Sequence, residues 1–225
     1  MDAPSASPPR WPFVALSLWL LAAVAVGVSG ALARLRPPAP QLVLVGLTLA
    51  LIVAWFASAG FRAWAGSLDL RAVVAFHLTR FVGAYFLVLY GRGELPYAFA
   101  IPAGWGDIAV ALGALVLAGA TPQLARRGYR RALIAWNVLG LVDILAVVAT
   151  AARLALADPD SMSALLRMPL NLLLTFVVPV IIATHLLVFA RLRRRSTSSS
   201  HAAHGARSSH SHHGARAARP RGGRG

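Results

Sequence analysis

The stretch AVVAFHLTRFVGAYFLVLY, residues 72–90, decides how the chain folds. It is 19 residues long, and apart from its tyrosines it carries only two ionisable side chains, His77 and Arg80. A helix needs about 20 mostly apolar residues to cross a hydrocarbon layer ~30 Å thick, and this stretch has that length and character. Arg80 falls near its midpoint, too deep for its side chain to reach either surface easily. A charge at that depth costs at least about 2.5–3.5 kcal/mol, so it requires a partner.

Five further stretches outside it have the same character. The expected spans are residues 11–31, 41–59, 72–90, 101–120, 132–152 and 164–190, the last one long because Pro169 and Pro179 lie inside it. Between them stand the usual breakers: Pro37, Pro38 and Pro40; Gly60 and Gly66; Gly91, Gly93 and Pro96; Gly128; Asp158 and Pro159. The reading is all-α, a six-span transmembrane helical bundle with a disordered basic C-terminal tail. Composition agrees: 58% of residues are hydrophobic and 13% charged, against about 25% charged in an ordinary soluble domain. That excludes a soluble enzyme of standard composition, and also a chain disordered throughout.

Arginine placement sets the expected orientation, because short cytoplasmic loops are enriched in basic residues. One side holds Arg10, Arg62, Arg71, Arg126, Arg127, Arg130, Arg131, Arg191, Arg193, Arg194 and Arg195; the other holds Arg34, Arg36, Arg92, Arg153 and Arg167. Both termini are therefore expected in the cytoplasm, with residues 1–10 as the N-terminal segment, 11–190 as the membrane domain and 191–225 as the tail. Trp11, Trp55, Trp105 and Trp136 fall near expected span ends, where interfacial tryptophans belong. Ala31-Leu32-Ala33 resembles a signal-peptidase site, but the apolar run before it exceeds the ~7–15 residues of a signal peptide, so an uncleaved anchor is expected. All 22 basic residues are Arg, and Ala and Leu dominate, which points to a GC-rich bacterial genome and hence the bacterial cytoplasmic (inner) membrane.

The formal net charge of +15 divides into +6 for residues 1–190 and +9 for the tail. From residue 196 to 225 the tail is almost entirely Ser, His, Arg, Gly and Ala without apolar periodicity, a composition that cannot offset its ordering entropy. Arg191, Arg193, Arg194 and Arg195 are expected to meet anionic lipid headgroups. His201, His204, His210, His212 and His213 could chelate a divalent metal, yet no spacing among them matches a preorganised site, so no metal is assigned. The tail has no aromatic residue to stack a base, so no specific nucleic-acid partner is expected. Cysteine is absent, which removes disulfides, thiolate metal sites and thiol catalysis.

Two carboxylates within the expected spans can answer Arg80: Asp107 and Asp143. His77 lies three residues before Arg80 on the same helical face, with Gly83, Ala84 and Leu87 beyond it. One Arg and two Asp leave a surplus negative charge, so either one Asp is protonated or His77 is charged. Arg167, Asn171, Thr175 and His185 share one face of the last expected span, and Pro179 frees the carbonyl of Thr175 and kinks that helix. With Asn137, these residues form an expected buried polar cluster. It has two readings: an ion-pair cluster that fixes helix register, or a proton or small-solute transport path. His77 and His185 sit at matched depth on two helices, as bis-His haem ligation requires, which gives a third reading as a redox module. Gly106, Ala109 and Gly113 permit close helix contact within this chain or with a membrane-protein partner or second copy. No nucleotide-binding glycine loop, zincin motif or nucleophile elbow is present, so a non-enzymatic membrane component without a bound cofactor is the preferred function.

Gly93-Glu94-Leu95-Pro96, Ile101-Pro102-Ala103-Gly104-Trp105-Gly106-Asp107, Trp136-Asn137-Val138-Leu139-Gly140-Leu141-Val142-Asp143, Val178-Pro179 and His185-Leu186 together resemble a family of small multipass bacterial membrane proteins without an established activity. The resemblance covers about residues 70–190. It implies location and architecture, and brings no catalytic or binding residues.

Overall fold

A computed structural model describes residues 9–120 and 127–193. Among them the regular structure is entirely helical: α1 Trp11–Val28, α2 Ala39–Ala57, α3 Ala59–Ser67, α4 Leu70–Gly91, α5 Tyr97–Gly119, α6 Arg127–Ala157 and α7 Leu173–Arg193. All but the short α3 are long and apolar enough to cross a membrane. The first compact unit ends at Val188; the described residues of the second, which begins at Phe189, complete α7.

Side-chain capping accounts for several boundaries. Ser58 accepts from the Phe61 N–H at 3.1 Å to start α3, and Asp69 accepts from the Arg71 N–H at 3.1 Å to start α4. Arg62 donates to the carbonyls of Trp55 and Phe56 at 2.9 and 2.8 Å, satisfying orphan acceptors at the end of α2. Gly93 takes φ +73°, and the Glu94 N–H reaches back to the Leu89 carbonyl at 2.9 Å, the glycine-dependent closure that ends α4.

α5 is the hub, packed along both halves of α4 and along α6. Phe86 and Leu89 of α4, Phe99, Ala100 and Ala103 of α5, and Ala155 of α6 form one core. Ile144 of α6 with Val178, Ile181 and Ile182 of α7 form another. α1 and α2 bury least, with 17% and 11% of their apolar windows enclosed against 44% for α5 and α7. α1 is attached to the start of α7 by specific bonds: Trp19 donates to the Thr175 carbonyl at 2.9 Å, and Asn171 donates to the Gly27 carbonyl at 3.2 Å.

Several expected boundaries need correction. The last span does not begin at residue 164. Residues Ser163–Leu166 form a 3₁₀ turn, Arg167 is extended and lies outside the helix, and Pro169 precedes it, since a proline ring obstructs the turn before it. The fifth span is longer than expected because α6 extends as helix on both sides of the apolar run. α3 has no counterpart among the expected spans: its nine residues are amphipathic and too polar to register as one. Trp105 and Trp136 lie well inside α5 and α6 and not at their ends, and Trp136 is buried. The tail residues Arg194, Arg195, His201, His204, His210, His212 and His213 lie outside the described residues.

α4 and α5 approach closely because two glycines face each other. A Cβ on Gly83 would stand 2.5 Å from the Gly104 carbonyl oxygen and 2.7 Å from Asp107 Cβ, and backbone cannot yield to it. Gly83→Ala should therefore lower stability by about 1–3 kcal/mol, as overpacking does, read as a lower unfolding midpoint of the purified protein. Gly46→Ala in α2 meets nothing within 4 Å and should be neutral or stabilising by up to about 1 kcal/mol. Equal effects at the two positions would contradict the close α4–α5 approach.

Candidate functional site

The middle of α4 is wound tightly, as a 3₁₀ helix over Phe76–Val82. At three residues per turn, positions i and i+3 eclipse one another, so His77, Arg80 and Gly83 are stacked along one face. That face is turned inward: His77 is 0% and Arg80 1% exposed, and Gly83 is buried.

Each of the three guanidinium nitrogens of Arg80 has a protein acceptor. Nε donates to Asp107 Oδ1 of α5 at 2.6 Å, Nη1 donates to the Gly140 carbonyl of α6 at 2.9 Å, and Nη2 donates to Asp143 Oδ2 of α6. Asp107 is buried, while the Asp143 side chain retains 24% exposure. The planar fork of arginine suits this task, because it presents donors in several directions at once, where lysine offers a single point charge. Glycine at 106 makes room for Asp143, whose carboxylate occupies the space a Cβ there would need.

A second polar layer adjoins the triad. The His77 and His185 rings are 4.3 Å apart between centroids, and Trp136 packs on both, at 4.9 Å from His77 and 5.6 Å from His185. Trp136 donates through Nε1 to the Val110 carbonyl at 2.9 Å. Asn137 and His185 bond reciprocally: Asn137 Nδ2 donates to the His185 carbonyl at 3.1 Å, and His185 Nδ1 donates to Asn137 Oδ1 at 2.9 Å. Thr184 Oγ1 lies 3.2 Å from His77 Nε2, and 3.0 and 2.8 Å from the carbonyls of Val180 and Ile181. The Asn137 bond puts the His185 proton on Nδ1, and His77 Nδ1 and His185 Nε2 have no hydrogen-bond partner among the described residues. Gly140 accommodates His185, since a Cβ there would stand 2.7 Å from its Cε1.

The bis-His haem reading does not fit this geometry. Such ligation holds two imidazoles on opposite faces of a porphyrin plate, and rings that touch each other leave no plate between them. Among the described residues, no group of three or more His, Cys, Asp or Glu could hold a metal ion.

The polar residues expected along the last span separate into different tasks. Arg167 lies outside the helix. Asn171 and Thr175 serve α1, through the bonds to Gly27 and Trp19, and His185 serves α6 through Asn137. The Thr175 carbonyl freed by Pro179 is taken by Trp19, a donor that sequence reasoning does not pair with it; the freed acceptor is the signal. Sequence reasoning also misses Trp136 as a member of the buried layer, because its place near an expected span end suggests an interfacial role. Gly106 and Gly113 are used within the chain, against Asp143 and Trp136, whereas Ala109 lies outside these contacts.

Residues 37–193 match a family model described as a domain of unknown function, DUF8737. The chain belongs to the DUF8737 family. The match contains the whole Arg80 triad and the His77–Trp136–His185–Asn137 layer. It also takes in α2, which lies outside the resemblance over residues 70–190, while α1, with Trp19 and Gly27, and the residues beyond 193 fall outside the match. No curated protein and no solved structure matches the chain.

Arg80→Ala should cost about 3–5 kcal/mol of stability, because it strands two buried or half-buried carboxylates. Combining it with Asp107→Asn or Asp143→Asn should restore part of that loss, measured as the folded fraction on titration with a denaturing detergent. Equal losses in single and double variants would mean that no coupled pair exists.

Proposed function

We propose that this DUF8737 protein is an integral membrane protein and that its role is non-enzymatic, as a structural or accessory membrane component. In this reading residues 11–190 form the membrane domain of a bacterial cytoplasmic membrane protein, both termini are cytoplasmic, and residues 191–225 form a basic tail. The observation that carries the structural role is that each of the three guanidinium nitrogens of Arg80 donates to α5 or α6. A group so engaged joins three helices, and any motion that released it would strand its charge. Membrane residence is supported by outward-facing residues such as Phe13, Leu18, Leu42, Val53, Leu139 and Val142, each more than half exposed and apolar. The orientation rests on the eleven-to-five arginine asymmetry.

The second reading is a proton-coupled or small-solute transporter using Arg80, Asp107, Asp143 and His77, for which the last span would supply a polar wall. Asn171 and His185 are individually bonded to α1 and α6, Thr175 Oγ1 turns back to the Asn171 carbonyl, and the α7 face toward the interhelical cavity beside Arg80 is apolar: Leu173, Leu174, Val177, Val178 and Ile181.

Reporter fusions after Gly60, Gly93, Gly128 and Pro159 should alternate in, out, in, out. Two successive fusions reporting the same side would contradict the threading. For the accessory role, sizing of gently solubilised protein should show a species larger than the 23.7 kDa chain with its detergent, containing a second copy or a membrane partner. A lone monomer at every expression level would contradict it.

A further inference from the structure

Beside Arg80 lies a partly open cavity of about 270 Å³, bordered by α2, α4, α5, α6, α7 and the segment before α7. Most of its wall is apolar, with Leu44, Val148, Ala152 and Val177 representative of the lining. Its polar features are few: Arg80, Asp107 and Thr79 of the middle layer, and Gln41 near the start of α2. An apolar chamber with a small number of placed polar groups is the usual form of a small-molecule site.

The hydrogen-bonding state of those groups selects the occupant. Each Arg80 nitrogen already donates to a protein acceptor. Thr79 gives its proton to the Phe76 carbonyl at 2.8 Å, which leaves its oxygen as an acceptor. Gln41 Oε1 is a buried acceptor without a hydrogen-bond partner. Asp107 bonds Arg80 through Oδ1 alone, and a carboxylate has further acceptor capacity. Apart from the remaining N–H groups of Arg80 and of the Gln41 amide, the uncommitted groups of the wall are acceptors, and a carbonyl oxygen left buried without a donor carries a desolvation cost that a ligand donor relieves.

Charge points the same way. One arginine faces two carboxylates, so the triad closes its balance by protonation or by gaining a cation. The carboxylate that lines the cavity, Asp107, is 3% exposed, and in such surroundings an added positive charge is favoured and an added negative one is opposed.

We propose that this cavity binds an amphiphilic organic cation, its apolar body lying along α2, α6 and α7 and its ammonium head meeting Asp107. An anionic head, such as a carboxylate or phosphate, would face three acceptors and an arginine already engaged. A purely apolar body would leave Gln41 Oε1 without a donor and the second oxygen of Asp107 unmet. The site is separate from the clamp function, since it uses the free oxygen of Asp107 and does not require Arg80 to move.

The test uses the full chain in lipid nanodiscs and a photoreactive dodecylamine with a diazirine at the end of its chain, and labelled positions are mapped by peptide mass spectrometry. Label is expected on cavity residues such as Val148, Ala152 and Val177, displaced by dodecylamine at about tenfold lower concentration than by dodecanoate, a factor equivalent to ~1.4 kcal/mol. Dodecanol should fall between them. Ala152→Phe, which fills the chamber, should remove the cavity label while the unfolding midpoint shows that the protein is folded. Gln41→Leu, a mild change, should weaken displacement by dodecylamine about tenfold, as loss of one hydrogen bond to a charged donor does, and it keeps the proposal testable if Ala152→Phe fails to fold. Dodecanoate competing as well as dodecylamine would overturn the proposal. So would label confined to outward residues such as Leu139 and Val142, or cavity label unchanged in both variants.

Discussion

An arginine side chain cannot shed its proton inside a protein, so enclosing Arg80 among apolar helices obliges the surroundings to answer a fixed positive charge. The answer comes from two other helices. Asp107 of α5 and Asp143 of α6 each take one edge of the guanidinium, and the Gly140 carbonyl takes the third nitrogen. Removing Arg80 would leave both carboxylates in a low-dielectric setting without a counter-charge, which is why the triad holds three helices as a unit.

Much of the neighbouring packing follows from bringing those groups together. The guanidinium reaches Asp107 because Gly83 and Gly104 let α4 and α5 approach at backbone distance, and it reaches α6 because glycine at 106 leaves space for Asp143. Gly140 then does two things, offering its carbonyl to Arg80 and its bare Cα to the His185 ring. His185 in turn is held by Asn137 and covers His77, so α7 is fastened to the same region by neutral hydrogen bonds and ring contacts. α1 and α2 stand outside this network; α1 is tied to α7 through the bonds that Trp19 and Asn171 donate, and the family match begins only at residue 37.

The parts of this arrangement that can be read from the sequence are those with one physical solution. A mid-helix arginine in an apolar run requires an anion, and Asp107 and Asp143 are the two carboxylates within such runs. Six apolar runs of sufficient length correspond to six long helices, because hydropathy integrates over many residues. What depends on local backbone geometry is hidden. Nothing in the run Phe76–Val82 announces a 3₁₀ turn, since it contains neither proline nor glycine, yet that winding brings His77, which ordinary helical spacing already puts on the face of Arg80, directly into line with it. Residues 164–172 look apolar enough to belong to the last helix, but Pro169 interrupts them and leaves Arg167 outside. The approach of the His77 and His185 rings depends on how α4, α6 and α7 cross, which no helical wheel of a single segment can show.

The central claim, that Arg80 is clamped between α5 and α6, is open to a direct distance measurement by solid-state nuclear magnetic resonance. The full chain, labelled at arginine and aspartate and reconstituted in lipid, would carry Asp160→Asn to remove the exposed Arg36–Asp160 pair. Arg80 Cζ should then lie within about 4–6 Å of the carboxylate carbons of both Asp107 and Asp143, the range over which opposite charges act strongly, and the cross-peak to the substituted residue should vanish in each Asp→Asn variant. Separations beyond ~6 Å from both carboxylates would contradict the clamp and the account of the fold that rests on it.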